Sequence, residues 1–206
     1  NSKIKIVALS PSDEEKTRSF ESFGKILDND KYKHIKIPSI KPNHTSVALL
    51  FECQGIVSIF GADLENMQNN QRRGWNAVIN SVYCKNIKNK AIIYKIPHHG
   101  SDSGHCDKVW DKILIDNPIS ILTPFIRSKI PNDGNKKTLT LLSDKVFIAG
   151  SEKPIKSNKQ YRVNKELKRH IQHISSIEGK LGLVRLRKNL TEATFSTELF
   201  GSAKKL

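Results

Sequence analysis

Residues Ala91 to Ser101 read AIIYKIPHHGS. KAIIYKI has the make-up of a buried strand, and it runs straight into two of the seven histidines in the chain. Imidazoles gathered at a strand end bind a metal, handle a proton, or stand in water. His105 lies a little further on and reads as the exposed start of the next helix.

Outward from this stretch, strand and helix patterns interleave. Upstream, SVALLFE and GIVSIFG are strand-like runs joined through CQG, a hairpin signal. Trp75, Val78, Ile79 and Val82 then mark one side of a helix from about Trp75 to Val82. KIKIVAL (Lys3–Leu9) reads as a strand entering a core and ends at SPSDEE, where Ser12 and Glu15 have capping-box spacing. The helix that follows aligns Phe20, Phe23 and Leu27, and KYKHIKIPSIKPNH is a polar connection with two prolines. Downstream, Val109, Trp110, Ile113 and Leu114 mark a helix, ISILTPF a strand, the region near Lys137–Ser143 a short helix, and KVFIAG a strand. Ser151–Asn158 reads as a linker. Val163, Leu167, Ile171 and Ile174 form a helical stripe with His170 and His173 as surface residues beside it, and LGLVRLR and ATFSTELF make a last strand pair. The expected class is α/β with some α+β character: a mixed sheet covered by helices. Residues 1–150 form its body, and 151–206 add a basic linker, a helix and the final strand pair.

A chain of 206 residues suits one α/β domain or two small ones. No apolar run approaches the roughly 18–20 residues needed to span a bilayer, so no membrane partner is expected. With no secretory leader, the chain reads as cytoplasmic. Cys53, Cys84 and Cys106 are odd in number and unpatterned, which fits a reducing compartment and not a zinc ribbon. The formal charge of +15 favours polyanions such as DNA or RNA. From Glu152 to Lys188 there are eleven Lys/Arg against three Asp/Glu, about half of the excess. The chain opens on Asn1 and its one methionine is Met67, so a further, earlier segment is expected.

Three polar features close consecutive strand-like runs: Ser10, Asp63 and the pair His98–His99. Ligand sites gather at strand ends, where loops present side chains and the sheet holds them still. A carboxylate and an imidazole brought together there suit zinc, manganese or iron, and a carboxylate can bridge two metals with a hydroxide between them.

TSVALLFECQGIVSIFGADLE followed by IIYKIPHHGS resembles the later half of a metallo-β-lactamase-fold hydrolase. The nearest branch includes the hydrolase domain of bacterial DNA-uptake (competence) proteins. VALSPSDEE, VWDKIL and ILTPF are similar to bacterial members of the same superfamily, and the likeness runs from about Lys3 to Gly150. The resemblance implies the second half of an αββα sandwich. It implies Asp63 as a bridging metal ligand and His98 as the last metal ligand, with His99 supporting the site or touching substrate. It also implies that Ser101 fixes the loop and that Glu65 backs the ligands, while His44 orders the loop before the hairpin. One or two Zn2+ or Mn2+ ions are the implied cofactor.

The family's His-x-His-x-Asp-His cluster is absent, and Ser10 stands where a further histidine often follows the first strand. The remaining ligands are therefore expected from the N-terminal half of the fold, upstream in the same gene or on another chain, which would also cover the apolar face of the sheet. The function this implies is a metal-dependent hydrolase of a phosphodiester or similarly anionic, nucleic-acid-like substrate, possible nucleases included. The alternative is a catalytically inactive nucleic-acid-binding or assembly subunit of the same fold. A weaker alternative is a regulatory domain that takes a small anionic ligand in the degenerate site.

Overall fold

The hairpin frames the sheet. Gln54 and Gly55 adopt φ of 52° and 78°, the left-handed pair that two-residue hairpin turns favour, and Cys53 consequently faces Ile56 across the ladder. A computed structural model describes residues 4–27, 41–153, 180–189 and 194–206. Its strands are β1 (Ile4–Ala8), β2 (Leu49–Cys53), β3 (Ile56–Phe60), β4 (Ala91–Lys95), β5 (Leu114–Leu122), β6 (Val146–Ile148), β7 (Gly182–Lys188), β8 (Phe195–Gly201) and β9 (Lys204–Lys205). Seven form one sheet in the order β1-β2-β3-β4-β5-β6-β9, and β7 and β8 pair separately. The run β3 to β6 is parallel, while β1, β2 and β9 add antiparallel edges.

That order decides which face is covered. Parallel neighbours in sequence order need crossovers, and right-handed crossovers between sequential neighbours all fall on the same side. The crossovers carry α2 (Gly74–Asn80) with α3 (Val82–Lys85), α4 (Asp107–Lys112) and α5 (Asp133–Leu142). The register row Val7, Leu50, Ile59, Tyr94, Ser120, Val146 crosses six of the seven strands, and Trp75, Val78, Val109, Trp110 and Leu139 from these helices join it in the core. Tyr94 sits edge-on between Trp75 and Trp110, with ring centroids at 6.4 and 5.4 Å.

The opposite face carries the row Ile6, Phe51, Ser58, Ile93, Ile119 and the row Ala8, Leu49, Phe60, Lys95, Ile121, Phe147. At the β5–β6 end, Ile119 and Phe147 are buried and share a cavity with Phe195 and Thr197 of β8. At the β1–β3 end none of the described elements covers the face, and Ile4 and Ile6 are each 63% exposed and Phe60 45%.

Several boundaries differ from expectation. The helix expected over 75–82 is two pieces, because Ser81 turns to ψ 150° and its hydroxyl caps α3 by accepting from Cys84 N–H at 3.1 Å. Leu114 begins β5 instead of closing the preceding helix, and the β4–β5 register shifts between Ala91 and Ile93. A reciprocal Asn132–Asn135 capping box starts α5 at Asp133. Helix α1 (Asp13–Leu27) follows β1, and its Phe20 and Phe23 are exposed. The two-residue β9, which closes the β6 edge, carried no sequence signal. The stripe Val163–Ile174, His170, His173 and most of the basic stretch lie outside the described residues. Among the described residues no helix is long and apolar enough to cross a membrane.

Candidate functional site

The carboxyl ends of β3, β4 and β5 lie side by side, where open parallel sheets present ligand sites. The loops leaving β3 and β4 are laced together. Gly61 N–H donates to Lys95 C=O at 3.0 Å, His98 N–H to Ala62 C=O at 2.9 Å, and Asn66 N–H to Ser103 C=O at 2.6 Å. The turn they hold is strained. His98, His99 and Gly100 take φ of 43°, 57° and 76° in succession, and each left-handed non-glycine residue costs about 1–2 kcal/mol. Strain of this kind persists where surrounding contacts over-determine it, commonly at functional sites.

His99 faces Asp63. Its Nδ1 lies 2.9 Å from the Thr123 carbonyl oxygen, and a carbonyl only accepts, so Nδ1 carries the hydrogen. In the neutral ring the Nε2 lone pair then points outward, and Asp63 Oδ1 lies 3.8 Å from Nε2. The ring stacks on Phe125 with centroids 5.2 Å apart, which fixes its plane. Lys95 stands close enough to feel the Asp63 charge. Burial pushes its ammonium below the ordinary lysine range, and Asp63 opposes that shift.

His98 points elsewhere. Asn43 Nδ2 lies 3.1 Å from Glu65 Oε1 and 3.2 Å from His98 Nε2. The carboxylate only accepts, so the amide nitrogen must face it, and the same nitrogen leaves His98 Nε2 as an acceptor. The hydrogen therefore sits on His98 Nδ1, 2.9 Å from Ser103 Oγ and 3.4 Å from Glu65 Oε1. Both nitrogens of His98 are engaged in holding the loop.

Behind Glu65 the polar chain continues inward. His44, in the 3₁₀ turn Pro42–Thr45, receives Arg73 Nη2 at Nδ1 over 2.7 Å. A guanidinium only donates, so the His44 hydrogen is on Nε2, 3.8 Å from Glu65 Oε2. Burial lowers the His44 pKa, with Arg73, Lys41 and Arg18 adding to the effect and Glu65 opposing it. Arg73 Nε lies 3.5 Å from Oε1 of Glu15, whose side chain is fully buried. Burial raises the Glu15 pKa and Arg73 pulls against it. Gly74 makes this approach possible: at φ +53° its backbone passes so close that a Cβ would stand 2.1 Å from Glu65 O.

The structure thus brings Asp63 to His99, and Glu65 to His98, His44 and Asn43. Ser101 is buried and its Oγ accepts Gly104 N–H at 3.2 Å. Ser10 donates to Ser46 C=O at 2.6 Å and accepts Ala48 N–H at 2.8 Å, tying β1 to the entry of β2. His105 pairs with Asp107 at 2.9 Å, outside this cluster. The three cysteines are free, and burial raises the thiol pKa of Cys84 and Cys106. Asn43, Arg73, Lys95, Ser103 and Thr123 are site residues that spacing alone did not single out. Among the described residues no group of three or more His, Cys, Asp or Glu is placed to hold a metal ion. No family model, curated protein or solved structure matches this chain.

Proposed function

We propose that this chain carries one part of the active site of a metal-dependent hydrolase of the metallo-β-lactamase type, with Asp63 and His99 as its metal-facing pair. The observation that carries the proposal is the His99 geometry. Its Nδ1–H is fixed on a backbone carbonyl, the outer contact typical of metal-ligating histidines, while Nε2 lies 3.8 Å from a carboxylate oxygen of the partly exposed Asp63. His99 takes this role in preference to His98, whose two nitrogens already hold the loop. An imidazole nitrogen with a carboxylate oxygen suits zinc or manganese. A bound ion would supply a water acidic enough to act as nucleophile near neutral pH and would polarise the scissile bond.

The chain's own residues do the positioning. Phe125 and Thr123 fix the His99 ring, Glu65 and Asn43 hold the His98 turn, and the Lys95 charge beside Asp63 draws an anionic group toward the strand ends. A phosphodiester or other nucleic-acid-like substrate accords with the +15 charge. Two donors among the described residues do not complete a site, so the proposal draws the remaining ligands from outside the described residues, in a further segment or another chain. The half-open sheet, with Ile4, Ile6 and Phe60 exposed, offers such a segment a surface and accords with half of an αββα sandwich. The test is metal analysis of the intact assembly, purified through this chain. It should contain stoichiometric zinc or manganese and lose it with Asp63→Ala; an assembly without transition metal defeats the proposal.

A second reading, a metal-free subunit that binds nucleic acid or assembles with a partner, is favoured by one observation. Ser10 is committed to structural hydrogen bonds at the strand end where the resembled family often has a histidine. Metal-free protein with salt-sensitive nucleic-acid binding would select it.

A further inference from the structure

His44 has a second neighbourhood. Beside helix α1 and the turn Pro42–Thr45 lies a half-open cavity of about 320 Å³, lined by Arg18, Lys41, Arg73 and His44 with one carboxylate, Glu15. Glu15 is held by Arg73, and Arg18 spends its Nε on Glu14 at 3.1 Å. The Lys41 ammonium makes no ion pair among the described residues. Three permanent cations thus face a cavity lined by one carboxylate, Glu15, while Glu14 pairs with Arg18 from outside the lining. Burial is the largest cause of the lowered His44 pKa, and all three cations deepen that shift.

We propose that this cavity binds a phosphate group, with Lys41, Arg18 and Arg73 as its cationic donors. A phosphate dianion offsets the excess charge, and guanidinium forks match its oxygens. The cavity adjoins the polar network that holds the His98–His99 turn. His44 forms its wall and also faces Glu65 at 3.8 Å, while Glu65 lies 3.4 Å from His98. Its use as a subsite for a neighbouring phosphate of a nucleic-acid substrate rests on the hydrolase proposal; phosphate binding itself does not.

The experiment titrates the full chain with inorganic phosphate at constant ionic strength, read by calorimetry and by the His44 ring signals in NMR. Lys41→Ala and Arg18→Ala remove exposed side chains and leave the core intact. Saturable binding is expected, weakened about tenfold in either variant, with the His44 signals moving only when phosphate binds. Absence of saturable binding, or binding indifferent to both substitutions, overturns the site. A short single-stranded oligonucleotide should displace the phosphate; if it does not, the cavity takes free phosphate and the subsite role is refuted. Metal content of the Lys41→Ala assembly, measured alongside, should equal wild type. Loss of metal from wild type would therefore count against the hydrolase and not against the phosphate site.

Discussion

Glu15 and Arg73 place an ion pair under the candidate site, with the carboxylate removed from water and the guanidinium shared with His44. Its cost has a definite pH signature. The folded-state pKa of Glu15 is raised, so its contribution to stability is fullest below the ordinary carboxylate pKa and is lost as pH rises through the folded value. Replacing Arg73 by Met removes the countercharge and raises that pKa further. We expect Arg73→Met to cost about 3–5 kcal/mol near neutral pH and markedly less at about pH 4, where Glu15 takes up a proton. Urea unfolding at the two pH values checks this; a deficit independent of pH contradicts it. Sequence spacing identified Ser12 and Glu15 as a capping box, and Ser12 Oγ does accept Glu15 N–H at 3.3 Å. The Glu15 side chain, however, turns inward to a residue nearly sixty positions away, and no local pattern encodes that. The same limit hid Asn43, which meets Glu65 and His98 only through the tertiary fold.

Elements with a strong local signal were legible, and those set by tertiary contact were not. β1, the β2–β3 hairpin, β4 and the β7–β8 pair stand where alternation and turn residues put them. The break at Ser81, where the hydroxyl caps α3, and the left-handed His98–His99 turn, held by backbone contacts from the β3 loop, did not show in the sequence. At the junction of loop and helix, Gly74→Ala forces a Cβ onto the Glu65 carbonyl at a left-handed position. It should cost about 2–4 kcal/mol and displace the Glu65–His98 contact, visible as altered His98 ring signals. At the far edge, Glu152 is clamped by Lys136 of α5 and by Lys204 of β9. Burial raises its pKa, but the two lysines outweigh burial and hold it low. The clamp is therefore present above the ordinary carboxylate pKa and weakens as pH falls through the lowered value. Glu152→Gln should cost at most about 1 kcal/mol, since both lysine partners are partly solvated. It should speed hydrogen exchange at Leu206 N–H, which bonds Val146 C=O at 2.9 Å; unchanged exchange there would show that the clamp does not hold β9.

At the scale of the molecule, the sequential order β3-β4-β5-β6 puts every crossover helix on one side, and among the described residues the strand pair β7–β8 covers part of the other. Ile4 and Ile6 on the edge strand β1 are exposed, and an exposed apolar edge strand favours association. The chain on its own should self-associate, and Ile4→Lys with Ile6→Lys should disperse it within about 0.5 kcal/mol of wild-type stability. A wild-type chain that sediments as one monodisperse, cooperatively folding monomer contradicts the need for a covering partner. The central claim concerns the strand ends that the covered face supports. Its most direct test is metal content by elemental analysis of the intact assembly carrying His99→Asn or His98→Asn, substitutions that tolerate the left-handed backbone of the turn. The account predicts stoichiometric zinc or manganese in wild type, its loss with His99→Asn, and its retention with His98→Asn. Metal lost with His98→Asn and kept with His99→Asn, or no metal in wild type, would contradict it.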